Sequence, residues 1–198
     1  MRHVILAVWL MALSVCGHAQ TSVPSDEMQS EARQRIEEFH AALLQAMRTP
    51  DYAARATALQ PVIDASFDIT RIAAVSLGRT WRDLTDTQQT EFVSLLSELV
   101  VATYADRFDG YSGQQFVTDE VRAVRTGDVV RTRLLREAEA DVTLDYFLRA
   151  GRVFNVVADG VSDLSLRRAD YSSIIKTEGF AALLTHIQRK IDEAREAD

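Results

Sequence analysis

Near Gln114 the spacing of apolar residues changes, and this change restricts the fold more than any other feature of the chain. Before that point apolar residues recur at steps of three and four; after it they alternate. The first spacing is that of a helix burying one face, the second that of a half-buried strand. Val130, Thr132 and Leu134 alternate with Arg131, Arg133 and Leu135; Val142, Leu144, Tyr146 and Leu148 alternate with Thr143, Asp145, Phe147 and Arg149. Gly127-Asp128 is a turn signal, Ala150-Gly151-Arg152 is a tight hairpin connection, and Val153 to Ala158 forms the next strand. With Phe116 to Val124, this predicts about four strands with short connections, hence an antiparallel sheet. The apolar face of such a sheet must be covered, and the flanking helices are the available cover. The fold class is therefore α+β, helical over 25–110, strands over 114–162, and helical again over 164–197.

The helical stretches carry their own punctuation. One helix starts near Ser25, with Asp26 and Glu27 in its first turn and Met28, Ala32, Ile36, Phe39, Leu43 and Met47 on one face. Thr49-Pro50 ends it and starts another, with Pro50 in the first turn; Pro61 opens a further short helix. Asp68 to Leu77 reads as a helix stopped by Gly78. Thr85-Asp86-Thr87-Gln88 has the form of a capping box, and the following stripe of Phe92, Leu95, Leu96, Leu99, Val100, Thr103 and Tyr104 is wide. After the strands come helices at Leu166 to Lys176 and from Gly179, the latter with Phe180, Leu183, Leu184, Ile187 and Ile191 on one face.

Residues 1–19 read as an export signal rather than as structure. Arg2 and His3 precede an apolar run from Val4 to Val15, and Gly17-His18-Ala19 supplies small residues for cleavage after Ala19. The run is shorter than the ~20 residues a spanning helix needs. Retention as a membrane anchor is one alternative. Lipid modification at Cys16 is another, poorly served by bulky Val15. Residues 20–24 read as a flexible leader and 25–198 as a single domain. Cys16 is the sole cysteine, so the cleaved chain has none, which suits an oxidising compartment. The expected location is the periplasm.

A search for chemistry is mostly negative. The net charge is −7 and no Lys/Arg cluster forms a stripe, which argues against nucleic acid. His40 and His186 have no histidine or cysteine at metal-ligand spacing and read as surface or boundary histidines. Gly110-Tyr111-Ser112-Gly113 falls one residue short of a nucleophile elbow and reads as a turn. Asp119 with Glu120, and Glu137 with Glu139, read as solvated carboxylates. Arg122, Arg125, Arg131, Arg133 and Arg136 make the middle strands locally positive. They form either a solvated sheet face that resists aggregation or a docking patch for an acidic partner or lipid headgroup. Trp81, Phe92, Tyr104, Tyr146, Phe154 and Phe180 are placed to face the interior. Pattern alone does not separate a filled core from a cavity lined by the same residue types.

A resemblance separates them. Phe67-Asp68, Leu77-Gly78-Arg79-Thr80-Trp81-Arg82, Gln88, Phe92, Leu99 and Thr103-Tyr104-Ala105 are similar to the helical signature of the MlaC (toluene-tolerance) family of periplasmic phospholipid-binding proteins. The run from Val153 to Ser162 resembles that family's strand ending in Asp-Gly-Val-Ser. Tyr171-Ser172-Ser173-Ile174-Ile175 and Gly179 to Leu184 resemble its closing helices. The resemblance implies a curved sheet related to the nuclear-transport-factor-2-like cone, packed with N- and C-terminal helices. It implies acyl chains held between sheet and helices, with no catalysis and no cofactor. It also implies lipid shuttling between an outer-membrane lipoprotein complex and an inner-membrane ABC transporter complex, in the service of outer-membrane lipid asymmetry. Val161 to Arg168 also resembles the hopanoid-associated HpnM branch, which leaves a polycyclic, hopanoid-like lipid as the alternative to a two-chain phospholipid. A cone-fold enzyme is the remaining alternative; it would need Asp145 or His186 inside the pocket with a partner.

The physics of a carrier sets the composition of its site. A phospholipid has on the order of 30 methylenes, and exposing them to water costs about 20 kcal/mol. The carrier must replace that burial without placing unpaired charge inside. The apolar lining expected on these grounds is Leu77, Trp81, Phe92, Leu96, Leu99, Tyr104, Val130, Leu134, Val142, Leu144, Tyr146, Phe154, Val156 and Val161, with headgroups left at the mouth. No metal site is expected.

Overall fold

A computed structural model describes residues 25–137 and 139–197, the side chains of 25 and 26 excepted. The signal segment and leader expected from the sequence lie outside the described residues. Among these, seven helices and five strands run in the order α1 (Ser25–Ala46), α2 (Tyr52–Ser66), α3 (Ile69–Leu77), α4 (Thr80–Asp83), α5 (Asp86–Arg107), β1 (Gln115–Val124), β2 (Gly127–Leu135), β3 (Val142–Arg149), β4 (Arg152–Ala158), β5 (Val161–Ser162), α6 (Asp163–Glu178) and α7 (Phe180–Glu196). The strands pair antiparallel in sequence order. The two-residue β5 adds a fifth strand to the four expected. The helices pack against one face of the sheet, and no described helix is long and apolar enough to cross a membrane.

The caps explain most boundaries. Asp51 accepts from Ala54 N (2.7 Å), Asp68 from Arg71 N (3.0 Å) and Ser162 from Ser165 N (3.2 Å). The capping box is formed: Gln88 N donates to Thr85 Oγ1 at 3.3 Å, and Thr85 N to Gln88 Oε1 at 3.0 Å. Several expectations are corrected. Pro50 precedes the cap Asp51 instead of entering the first turn. Pro61 lies inside α2 and does not start a new helix. Pro61 and Thr57, whose carbonyl loses its helical donor, are both exposed, so water reaches that carbonyl while Leu59 and Ile63 anchor the inner face. Met28 is exposed, unlike the other residues expected on its helix face. α6 begins at Asp163, ahead of Leu166, because Ser162 caps it.

Two bulges adapt the sheet to its cover. Between Phe147 and Leu148 the register of β3 on β4 slips, so Val153 and Val156 both stay on the inner face although they are three residues apart. Strict alternation would have turned one of them outward. The second bulge, between Thr118 and Glu120, turns Asp119 toward Arg133, whose Nε and Nη2 it accepts at 2.8 and 2.9 Å. On the same outer face Arg131 makes a two-pronged contact with Asp145 at 2.9 and 3.1 Å; beyond the end of β2, Arg136 pairs with Glu139. These three arginines of the locally positive middle strands are thus matched by carboxylates.

One buried arginine ties the helical layer together. Arg55 is 1% exposed and donates from Nε to Ala105 O (2.8 Å) and from Nη1 to Thr49 O (3.1 Å) and Pro50 O. It thereby satisfies a carbonyl in the last turn of α5, where helical donors run out.

His40 is buried rather than at the surface. It stacks on Phe116, centroids 3.9 Å apart, and its Nε2 shares a 3.1 Å hydrogen bond with Tyr146 Oη. Burial holds the imidazole down at about 3.

Two predictions follow from these features. At Gly127 (φ +140°) an added Cβ would stand 1.9 Å from Leu148 O, whereas at Gly151 (φ +72°) it meets nothing within 4 Å. Gly151→Ala should cost about 1 kcal/mol in urea unfolding, and Gly127→Ala clearly more, because backbone must move as well. His40 is neutral in the fold but protonates in the unfolded chain below pH 6.5. Stability contributed by the neutral group is therefore complete above that value and is lost as pH falls toward 3, about 3 kcal/mol of it by about pH 4.5. His40→Gln should flatten the stability profile over that window; an unchanged slope would refute the assignment.

Candidate lipid-binding cavity

The inner face of the sheet is graded along its length. At one end Val130, Leu148 and Val153 are essentially fully buried, with exposures of 0, 1 and 0%. There the α2–α3 junction is hydrogen-bonded onto β4: Asp68 N donates to Val153 O at 2.8 Å, Phe67 bridges Val153, and Arg152 Nε donates to Phe67 O at 3.1 Å. At the other end, where Leu134 pairs with Val142 and Leu144 with Ala158, the layers separate. A cavity of about 410 Å³ opens between this end of the sheet and helices α3, α5 and α6. That size lies within the range of pre-formed ligand pockets.

The wall is apolar. Leu134, Val142, Leu144, Tyr146, Phe154, Val156 and Ala158 line it from the sheet; Met47, Phe67, Ile72, Val100, Tyr104, Phe108 and Leu164 from the helical side. The Tyr104 ring is held edge-on to Phe39 (5.2 Å, 90°) and stacked on Phe108 (5.8 Å, 25°). Burial pushes the hydroxyls of Tyr104 and Tyr146 up, so both remain neutral phenols. The charged lining residues are Arg107, Asp109, Arg136, Glu139, Asp163 and Arg167. They come from the end of α5, the β2–β3 connection and the first turns of α6, and together form a rim. Arg167 donates to Asp163 Oδ2 (3.0 Å) and to Tyr171 Oη (3.2 Å). Asn155 Oδ1 accepts from Ser162 Oγ (3.0 Å) and Leu164 N (3.2 Å), which fixes the start of α6 against the end of β4.

Of the lining expected from the sequence, the structure gathers Tyr104, Leu134, Val142, Leu144, Tyr146, Phe154 and Val156 around this cavity. The rest lie elsewhere. Phe92 and Leu96 are at 0% exposure in filled core, with Phe92 against Tyr171 and Phe180. Leu99 and Leu77 are buried in the same core, and Trp81 packs on its edge from α4. Val130 is at the closed end of the sheet. Val161, expected inside, is 53% exposed. The stripe on α5 is continuous, but its N-terminal half meets other helices and only its C-terminal half meets the void. Sequence reading missed Met47, Phe67, Ile72, Val100, Phe108, Ala158 and Leu164. Phe67 carried a signal, since Asp68 is a helix cap and the residue before a cap is free to turn inward.

The alternative enzyme residues are not in the cavity. Asp145 is on the outer sheet face with Arg131, and His186 is on α7, 3.7 Å from Asp170. A roomier, more open groove of about 640 Å³ lies between α5 and α7, where the charged Glu91, Glu98, Arg189 and Asp192 stand beside Leu95 and Leu184.

No curated protein matches the chain. Among solved structures, it is similar to the phospholipid-binding protein from Ralstonia solanacearum, determined in complex with a phospholipid. The TM-score is 0.72 at 19% identity, covering 84% of this chain and 98% of that one. The family model described as MlaC protein matches residues 33–189, most of the chain and both layers around the cavity, and the chain therefore belongs to the MlaC family.

Proposed function

We propose that this protein is a periplasmic lipid carrier that takes the acyl chains of a phospholipid into the cavity and moves it between membranes. The observation that carries the reading is the partition of polarity: the walls are apolar or neutral phenol, and the charged lining residues form the rim. Alkyl chains removed from water gain about 0.8 kcal/mol per methylene, and the largely buried Arg167 guanidinium of the lining is paired with Asp163 and hydrogen-bonded to Tyr171. The family, and a fold shared with a protein solved with phospholipid bound, support the same cargo. An enzyme on this fold would need titratable groups converging in the pocket. We further propose, from the family, that an outer-membrane lipoprotein complex supplies or receives the lipid and an inner-membrane ABC transporter complex stands at the other end. An export signal cleaved after Ala19 would deliver the chain there.

Native mass spectrometry of protein purified from its own periplasm should show one lipid per chain, at the mass of a two-chain phospholipid. A polycyclic lipid mass would replace that cargo, and lipid-free protein would refute the reading. Leu144→Asp places a charge in the wall and should leave a folded protein that retains less than about a tenth of the lipid. Leu96→Asp buries a charge in filled core and should unfold the protein, with circular dichroism distinguishing the two losses. Stoichiometric lipid in folded Leu144→Asp would sink the wall assignment.

A further inference from the structure

The rim contains one cation whose role the fold does not account for. Arg167 is committed to Asp163 and Tyr171, and Arg136 to Glu139 and the carbonyl of Ala140. Arg107 lines the same cavity, is exposed, and has no hydrogen bond or ion pair among the described residues. It sits three residues after Tyr104 on α5, so the two side chains share a helix face one turn apart. The Tyr104 hydroxyl likewise has no hydrogen-bond partner among the described residues, although its ring is fixed from several sides by Phe39, Phe67 and Phe108. Tyr104 is half-buried on the cavity wall, so this rigidly held hydroxyl is left as a donor free to meet a ligand. Arg107, Arg167 and Asp163 are all close enough to bear electrostatically on that hydroxyl.

We propose that Arg107 and Tyr104 form an anion subsite for the phosphodiester of the bound lipid, with the guanidinium meeting the phosphate from solvent and the phenol donating to it from inside the mouth. The assignment rests on the carrier reading above and adds a specificity to it. The apolar wall accepts alkyl chains of any lipid; this pair of donors favours a lipid that carries phosphate where the chains leave the cavity. A guanidinium matches the oxygens of a phosphate with two parallel donors, which a lysine ammonium does only in part. A diacylglycerol of the same chains would fill the wall equally and leave both donors unanswered.

The test is a competition for lipid-stripped protein between phosphatidylethanolamine and diacylglycerol of identical chains, presented together in vesicles and read as the ratio of the two in the isolated complex. Wild type should favour the phospholipid. Arg107→Gln should lower that preference about tenfold, Arg107→Lys should recover part of it, and Tyr104→Phe should lower it by about threefold. Arg107 is exposed, so Arg107→Gln should keep the wild-type unfolding midpoint. An undiminished ratio in Arg107→Gln would overturn the subsite while leaving the carrier intact. Uptake of neither lipid by wild type would overturn the carrier reading and the subsite with it. Inorganic phosphate separates the remaining source of the same chemistry. Saturable phosphate binding lost in Arg107→Gln, with the lipid ratio unmoved, would make this a free-anion site and overturn the assignment. Absence of such binding, with the ratio falling, supports it.

Discussion

The architecture depends on one seam. At Phe67 and Asp68 the chain stops being helical, and its free backbone groups are taken up by the start of β4, where Asp68 N meets Val153 O and Arg152 reaches Phe67 O. Buried peptide groups must find partners, so this junction is held close to the sheet. Val130, Leu148 and Val153 are consequently sealed beneath it. At the opposite end the start of α6 is tied to β4 through Asn155, which accepts from Ser162 Oγ and Leu164 N. Between that tie, the open end of the sheet and the C-terminal half of α5 the cavity remains. The cavity is the space left between the two layers beyond the Phe67–Asp68 seam.

Such a space costs stability when empty, because its walls forgo the contacts a packed core would give. The rest of the interior offsets that cost with dense packing: Phe39, Leu43, Leu59, Ile63, Phe92, Leu96, Leu183 and Ile187 have no exposure at all. Occupancy by an apolar ligand would restore the missing contacts and stabilise the folded state in proportion to ligand concentration over affinity. The polar groups nearest the cavity are arranged not to interfere. His40 is neutral and bound to Tyr146, and both phenols stay protonated. The formal charges of Arg131, Arg133, Asp119 and Asp145 are spent on one another on the far face of the sheet.

The likeness to the Ralstonia protein at 19% identity shows how little of the sequence this plan needs. What must persist is a period of 2 over the strands, a period near 3.6 over the helices, caps at the helix breaks, and apolar volume at the open end. Side chains within those limits can change freely as long as size and polarity hold.

What the chain alone determined was the order and type of its elements. The capping box at Thr85, the hairpin at Ala150-Gly151, the stop at Gly78 and the alternation through β2 and β3 are local effects, set by residues within a few positions of one another. The sheet positions in the wall were legible too, since alternation names which side chains share a face. What only the tertiary structure decided was where along each element the void begins. Leu96 and Val100 lie on one stripe of α5, yet one is packed against helices and the other faces open space. Val130 and Leu134 share one face of β2 and differ in the same way. Hydrophobicity has no direction and no memory of its partner, so identical residues read alike until the distance between layers is known.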